Sequence, residues 1–283
     1  MLTYLLFGFS LSTIVIVIRL WPLIFSRQER EIFIKDLDII YMTLEWFFML
    51  VTFSTFASIS SWVESTNYIL TILVSILFVS LFVSYDYFAY PIMILLRKGK
   101  FKTSEFYEKW AKETVDKNIR IRVLNQDKVN AYATGILSFH KVILLNDKLM
   151  VVMNECDVKN LIYHEYAHLK LNHLLILYVS NILCCSISII SYNHFGPIFE
   201  KTESPGLFVA LHGALLGGFC LLVVGLVQRQ LEYRADKYAS NIVGTESYTR
   251  TLENLNTATN GGLEKKAINY PVLIDRIKYV TER

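Results

Sequence analysis

Long apolar runs dominate the first hundred residues of this chain. They occupy residues 2–24, 46–63 and 68–96, and polar stretches separate them. A helix needs about 20 apolar residues to cross a bilayer, so each run is long enough, or nearly so, for a transmembrane helix. In the third run, Asp86 and Pro91 predict a tilt, a kink or a partly interfacial position. The pattern therefore predicts an N-terminal membrane region, residues 1–97, with about three transmembrane helices.

Two further apolar runs lie in the second half of the chain, at 174–192 and 206–227. The polar segment between them, NHFGPIFEKTESP, contains a single Lys. This pattern is typical of a membrane hairpin. It predicts a second domain over residues 98–283 that a transmembrane hairpin interrupts at about 174–227, which gives about five transmembrane helices in all.

The polar parts of residues 98–283 show both strand and helix patterns. The segment IRIRVL at 119–124 alternates basic and apolar residues, and KVILL at 141–145 is a short β-branched run, so both predict strands. Between them, NAYATG at 130–135 is either the edge of a sheet or a plain hairpin turn. Residues 245–283 predict two short helices with a break at Gly261 and Gly262. The expected fold is mainly α with a small sheet.

The distribution of Lys and Arg predicts the orientation in the membrane. Basic residues follow the first and third apolar runs, whereas the loop after the second run contains none. Since cytoplasmic loops are enriched in Lys and Arg, the N-terminus is expected outside and residues 97–173 in the cytoplasm. The hairpin at 174–227 then begins and ends on the cytoplasmic side. The membrane would be a bacterial inner membrane or a plasma membrane.

The overall composition agrees with a membrane protein. Hydrophobic residues make up 53% of the chain and charged residues 19%. The formal net charge is only +3, and no basic patch is interleaved with aromatic residues, so nucleic acid is excluded as a partner.

The segment HEYAH carries the candidate chemistry. His164 and His168 are four positions apart, so on a helix they lie about 40° apart around the axis and face the same way. Two imidazoles in this arrangement are suited to zinc. Glu165 is adjacent to the first His, where its carboxylate is available as a general base toward water. The alternative is a buried helix whose two His side chains are satisfied by hydrogen bonds.

A third ligand is expected from QLEYRADK at 230–237. Catalytic zinc sites use three protein ligands, and two His with one Glu is a common set. Glu232 and Asp236 share a helix face, since they too are four positions apart. We assign Glu232 to the metal and Asp236 to the orientation of a ligating imidazole. Taken alone, the segment is also typical of a solvated charged helix.

These segments resemble the HtpX and CAAX prenyl-protease family of integral membrane zinc metallopeptidases. The resemblance rests on NAYATG at 130–135, HEYAHLKLNH at 164–173, LEYRADKYA at 231–239 and YPVLIDRI at 270–277, in that order. The last segment has Tyr270 where the family usually has His. The resemblance extends over roughly residues 100–283 and does not include the first hundred.

The resemblance implies a multi-pass membrane protein with a cytoplasmic, zincin-like α+β metallopeptidase domain and one zinc ion per chain. The expected activity is hydrolysis of peptide bonds in membrane proteins or membrane-associated peptides, for quality control or maturation. It also implies that the sheet edge containing Asn130, Ala131 and Gly135 receives the substrate backbone as an added strand. Partners are then these substrates and the lipid bilayer.

Two other functions fit parts of the pattern. A sensor protease of the BlaR/MecR kind also couples membrane helices to H-E-x-x-H, although many members carry an extracellular ligand-binding domain that this chain lacks. A non-catalytic membrane scaffold could retain the fold without the chemistry. The intact set of His164, Glu165, His168 and Glu232 argues against a scaffold, because a scaffold does not need Glu165.

Overall fold

The computed structural model describes residues 68–96, 101–199 and 201–282, together with Phe47 and Val51. The apolar runs at 2–24 and 46–63, which predict the first two transmembrane helices, lie outside the described residues apart from those two positions. The count of five spans therefore stays a prediction.

The third apolar run is helical but interrupted. It forms α1 (Tyr68–Ser84), a π-helical turn (Tyr85–Ala89) and α2 (Tyr90–Leu96). Proline has no N–H and its ring clashes with the carbonyl four positions earlier, so the wider turn directly before α2 accommodates Pro91. Neither α1 nor α2 alone reaches the length that a transmembrane helix requires.

Two helices occupy the positions of the predicted hairpin. They are α6 (His173–Phe199) and α7 (Pro205–Val243). In the part of the chain that the structure describes, these are the two helices long and apolar enough to cross a membrane. The helix α7 continues beyond its apolar part, and this extension carries Glu232 and Asp236.

A four-stranded mixed sheet forms the base of the polar part. Its strands are β1 (Phe101–Thr103), β2 (Ile121–Leu124), β3 (Ala131–Thr134) and β4 (Val142–Asn146), in the order β1-β2-β4-β3. The predicted strands at 119–124 and 141–145 are confirmed as β2 and β4. They pair in parallel, with Ile121 opposite Ile143, and β3 pairs antiparallel to β4 at the sheet edge. NAYATG is therefore an edge strand that ends in a turn.

Five shorter helices complete the polar part. They are α3 (Glu105–Thr114), α4 (Asp147–Val152), α5 (Glu155–Lys170), α8 (Thr245–Ala258) and α9 (Leu273–Thr281). The last two are the helices expected in 245–283, and Gly261 adopts a left-handed conformation between them (φ 75°).

The helix α5 lies against the sheet. Asn154 caps it by accepting a hydrogen bond from the backbone N–H of Asp157 at 2.9 Å. One face of α5, including Val158 and Ile162, packs with Ile143 and Leu145 of β4 in the main hydrophobic core. This packing holds the helix rigidly beside the edge strand β3.

The chain divides into two compact units. One comprises the described residues up to Tyr85 together with Asn181–Cys220, and the other comprises Asp86–Ser180 and Leu221–Arg283. The second unit contains the whole sheet and α2 to α5, α8 and α9, with the first turns of α6 and the last turns of α7. All the site residues described below belong to it.

Candidate metal centre and active site

Three side chains predicted as metal ligands converge in the second unit. His164 and His168 project from the same face of α5, and their Nε2 atoms are 3.3 Å apart. Glu232 reaches them from α7, with one carboxylate oxygen 3.4 Å from His164 Nε2 and the other 3.7 Å from His168 Nε2. The structure thus brings together residues that are far apart in the sequence.

The spacing of these three groups fits zinc. With metal–ligand bonds of about 2.0–2.2 Å, two ligand atoms of a tetrahedral site lie about 3.3–3.5 Å apart. The observed separations of 3.3, 3.4 and 3.7 Å approach that geometry without rearrangement of the backbone. Two imidazoles and one carboxylate also form a donor set that zinc accepts.

The electrostatics of the site favour a cation. Burial lowers the pKa of His164, but its contacts with Asp236 and Glu232 outweigh this and raise that pKa to about 10. Burial lowers the pKa of His168 to about 3, and the neighbouring His164 contributes to the same direction. The surrounding carboxylates therefore stabilise positive charge at the imidazole pair.

The outer nitrogen of His164 is held by two partners. Its Nδ1 lies 2.9 Å from Asp236 Oδ1 and 2.9 Å from the Tyr248 hydroxyl. The Tyr248 hydroxyl in turn donates to Asp236 Oδ1 at 2.7 Å. A carboxylate at Nδ1 favours the tautomer that carries its proton there, which leaves the Nε2 lone pair directed toward the metal position.

Arg276 on α9 neutralises Asp236. Its Nε donates to Asp236 Oδ2 at 2.7 Å, and its Nη2 donates to Oδ1 at 2.6 Å. Asp236 is fully buried and Arg276 is only 5% exposed, so the two charges depend on each other for solvation. The helix α9 is thereby connected through Asp236 to His164, the predicted metal ligand.

His168 also has a partner for its outer nitrogen. His173, at the start of α6, places its Nδ1 3.1 Å from His168 Nδ1. This contact orients the ring of His168. Each of the two imidazoles of the site is thus oriented by a partner at its Nδ1 atom.

Glu165 faces the same cavity as the ligands but is separate from them. Burial is the main cause that raises its pKa, to about 7, and Glu232 acts in the same direction. The backbone of Ala133, in the edge strand, lies close enough to Glu165 to lower that pKa in part. A carboxyl group with a pKa near neutrality is suited to accept and return a proton.

The cavity has a volume of about 400 Å³ and lies between β3, α5 and α7. Asn130 and Ala131, two of the three predicted substrate-binding residues, line it, as does Tyr270. Gly135, the third, is not among its lining residues. It has a φ of 95°, and a Cβ there would lie 2.3 Å from the carbonyl oxygen of His140. Gly135 is therefore required for the turn after β3.

The edge strand presents backbone groups toward the cavity. The N–H of Asn146 donates to the carbonyl of Asn130 at 3.0 Å, so the backbone groups of Asn130 face β4. Every second residue after Asn130 along β3 faces β4 in the same way. In an antiparallel ladder the intervening residues face the other way. The backbone N–H and C=O groups of Ala131 and Ala133 are thus directed away from β4, toward the open edge.

The positions of three residues at the site were not predicted from the sequence. Tyr248 belongs to no recognised motif, and the sequence around it does not indicate that its hydroxyl contacts His164. Arg276 belongs to the segment YPVLIDRI, whose similarity to the family was evident, but its partner Asp236 is forty positions earlier in the chain. The position of Tyr270 at the cavity was likewise not deduced.

Comparison with known proteins assigns the chain to a family. A model of peptidase family M48 matches residues 108–283, which is more than half of the chain. The chain belongs to peptidase family M48. Members of this family are metalloproteases, typically with zinc. The resemblance to the HtpX and CAAX prenyl-protease family is confirmed.

M48 relatives of this chain include HtpX homologues. A protease HtpX homologue of Acidiphilium cryptum is 32% identical over 131 residues, which cover 44% of this chain and 45% of the relative. One from Salinibacter ruber is 28% identical over 138 residues, covering 47% and 49%. The chain spans about half the length of the curated relatives it matches.

A solved structure gives independent support for the fold. The crystal structure of S. mikatae Ste24p matches with a TM-score of 0.67 at 18% identity, covering 89% of this chain and 67% of that one. The mainly α architecture with a small sheet, predicted from the sequence, is thereby confirmed, and the structure shows that the sheet is mixed.

Proposed function

We propose that this M48 member is an integral membrane zinc endopeptidase that hydrolyses peptide bonds of membrane proteins or membrane-associated peptides. One observation carries the proposal. The side chains of His164, His168 and Glu232 converge with zinc-like spacing in a cavity that also contains Glu165 and the open edge of β3.

Five polar residues of the site have roles in this proposal. His164, His168 and Glu232 hold one zinc ion, which when bound polarises a carbonyl and makes water more acidic. Asp236 orients His164. Glu165 accepts a proton from the attacking water and returns it to the leaving amine, for which its pKa near 7 is suited.

The substrate is proposed to bind as an added strand. Ala131 and Ala133 direct backbone groups toward the open edge of β3, and an extended peptide pairs with them through main-chain hydrogen bonds. Such bonds recognise an extended shape and little of the side-chain sequence. We therefore propose unfolded or extended segments as substrates, cut in quality control or maturation.

The proposed location is a bacterial inner membrane or plasma membrane, with the cavity on the cytoplasmic side. The positive-inside rule and the two apolar helices α6 and α7 support it. In this arrangement α7 crosses the membrane and then delivers Glu232 to the cavity at the cytoplasmic surface.

The test separates chemistry from metal binding. We expect Glu165→Gln to retain zinc and the fold but to lose hydrolysis of an unfolded membrane-protein substrate, because an amide cannot accept the proton of water. Glu155→Gln is the matched control, since Glu155 lies on the same helix, is largely exposed and pairs with Lys159. Hydrolysis by Glu165→Gln at nearly the parental rate would refute the general-base role of Glu165. If the parent protein itself hydrolysed no substrate, the alternative of a non-catalytic membrane scaffold would be favoured.

A further inference from the structure

The loop at residues 135–141, which joins β3 to β4, exposes two large apolar side chains. Leu137 is 42% exposed and Phe139 is 60% exposed, with Ser138 exposed between them. The neighbouring His140 is fully buried. The loop thus points its apolar residues away from the second unit of the chain.

The loop is held in this shape by several contacts. Its 3₁₀ turn is closed by a hydrogen bond from the backbone N–H of His140 to the carbonyl of Leu137 at 3.1 Å. The guanidinium of Arg120 donates to the carbonyl of Phe139. Lys141 Nζ donates to the carbonyl of Leu169, at the end of α5, at 2.7 Å. These contacts fix the loop conformation in which Leu137 and Phe139 are exposed.

Ring contacts place the loop beside the beginning of α6. The ring of His140 packs against Phe88 with centroids 5.8 Å apart, and Phe88 packs against Tyr178 at 5.7 Å. Tyr178 lies about 7.5 Å along the axis from the first residue of α6, at about 1.5 Å per residue. Since α6 is apolar enough to cross a membrane, a bilayer that begins at the start of α6 would place Tyr178 near the boundary between headgroups and acyl chains.

The charges around the loop are mainly positive. Arg120 and Lys141 contact the loop or belong to it, and Lys141 lies close enough to Lys170 for the two charges to interact. Asp116 is the acidic group facing Lys141. The backbone N–H of Asn118 is the main cause that lowers the pKa of Asp116, and Lys170 and Lys117 act in the same direction. Basic residues that flank exposed apolar side chains match a surface of anionic phospholipid.

We propose that the 135–141 loop inserts Leu137 and Phe139 into the adjoining membrane leaflet, with the surrounding basic residues facing lipid phosphates. The occupant of this surface is thus the lipid surface itself. Because the loop is continuous with β3, insertion holds the open strand edge close to the bilayer. If the proposed function is correct, on which this consequence rests, cleavage is confined to segments near the membrane.

The experiment uses the full chain with its four native cysteines replaced by alanine, reconstituted in nanodiscs of anionic phospholipid. A bimane fluorophore is attached at Phe139→Cys or, in a second variant, Leu137→Cys. The control is Val151→Cys on α4, because Val151 is 83% exposed and follows the opposite end of β4 from the loop. Quenching by lipids with a nitroxide near the top of the acyl chain is compared with quenching by iodide in water.

We expect the lipid nitroxide to reduce fluorescence about twofold at positions 139 and 137 and to leave position 151 nearly unchanged, with the reverse order for iodide. Quenching of position 139 by iodide as strong as at 151 would overturn the proposal. Protection of positions 139 and 137 from both quenchers would also overturn it, in favour of a protein contact. The measurement needs no proteolysis, so it is independent of the proposed activity.

Discussion

Arg276 forms two hydrogen bonds, of 2.7 and 2.6 Å, with the carboxylate of Asp236, which lies 2.9 Å from Nδ1 of His164. The proposed metal ligand is therefore supported, through a buried ion pair, by α9, which lies more than a hundred residues later in the sequence.

Loss of Arg276 is expected to weaken zinc binding and stability together. In Arg276→Gln, Asp236 remains buried without its counter-ion, so we expect a loss of about 3–5 kcal/mol in the free energy of unfolding. Loss of an outer-shell partner typically lowers metal affinity about 10–100-fold. Chelator competition and thermal unfolding in detergent measure the two effects.

Tyr248→Phe is a milder change than Arg276→Gln in the same hydrogen-bond network. It keeps the ring but removes the hydroxyl that donates to Asp236, and we expect a loss of about 1 kcal/mol in stability with a smaller loss of zinc affinity than in Arg276→Gln. Zinc affinity equal to the parent in both variants would show that the network supports the fold alone.

Glu232→Ala is expected to remove most of the bound zinc. The parent should contain about one zinc per chain, and two imidazoles alone leave a catalytic site one protein ligand short. Metal analysis of purified protein measures the loss. Glu246→Ala, at a largely exposed position on α8, is the control and should retain its zinc. If Glu232→Ala kept the parental zinc content, the third ligand would have to be another residue.

Ala131→Pro tests the edge-strand model of substrate binding. The N–H of Ala131 faces the open edge, so a proline there removes a bond to the substrate and leaves the pairing of β3 with β4 intact. We expect slower cleavage of long peptides, with zinc content unchanged. Ala131→Ser keeps the N–H and should behave as the parent. Equal cleavage by all three proteins would refute the model.

Cysteine labelling tests the predicted orientation. In a background with Cys156 replaced, because that thiol is exposed, Lys117→Cys should react only after the cytoplasmic side is opened. Glu203→Cys, in the turn between α6 and α7, should react with impermeant reagent from outside. The opposite pattern would place the cavity on the outer face and change the pool of substrates.

The strands show how much of the sheet a local sequence pattern can predict. Both β2 and β4 were predicted from short apolar or alternating runs, because a strand's residues carry their own periodicity. Their parallel pairing was not predicted, and β1 was missed because three residues contain too little pattern. The segment NAYATG was equally compatible with a turn, and both descriptions hold, since β3 ends in a turn at Gly135.

The sequence by itself determined those features that depend on neighbours along one helix. The spacing of His164 and His168 places both on one face of α5, and the lengths of the apolar runs predict α6 and α7. Tertiary structure decided the rest, because contacts between distant segments depend on packing that no spacing records. Only the fold brings Glu232 to the imidazoles, Tyr248 and Arg276 to Asp236, and the open edge of β3 to Glu165.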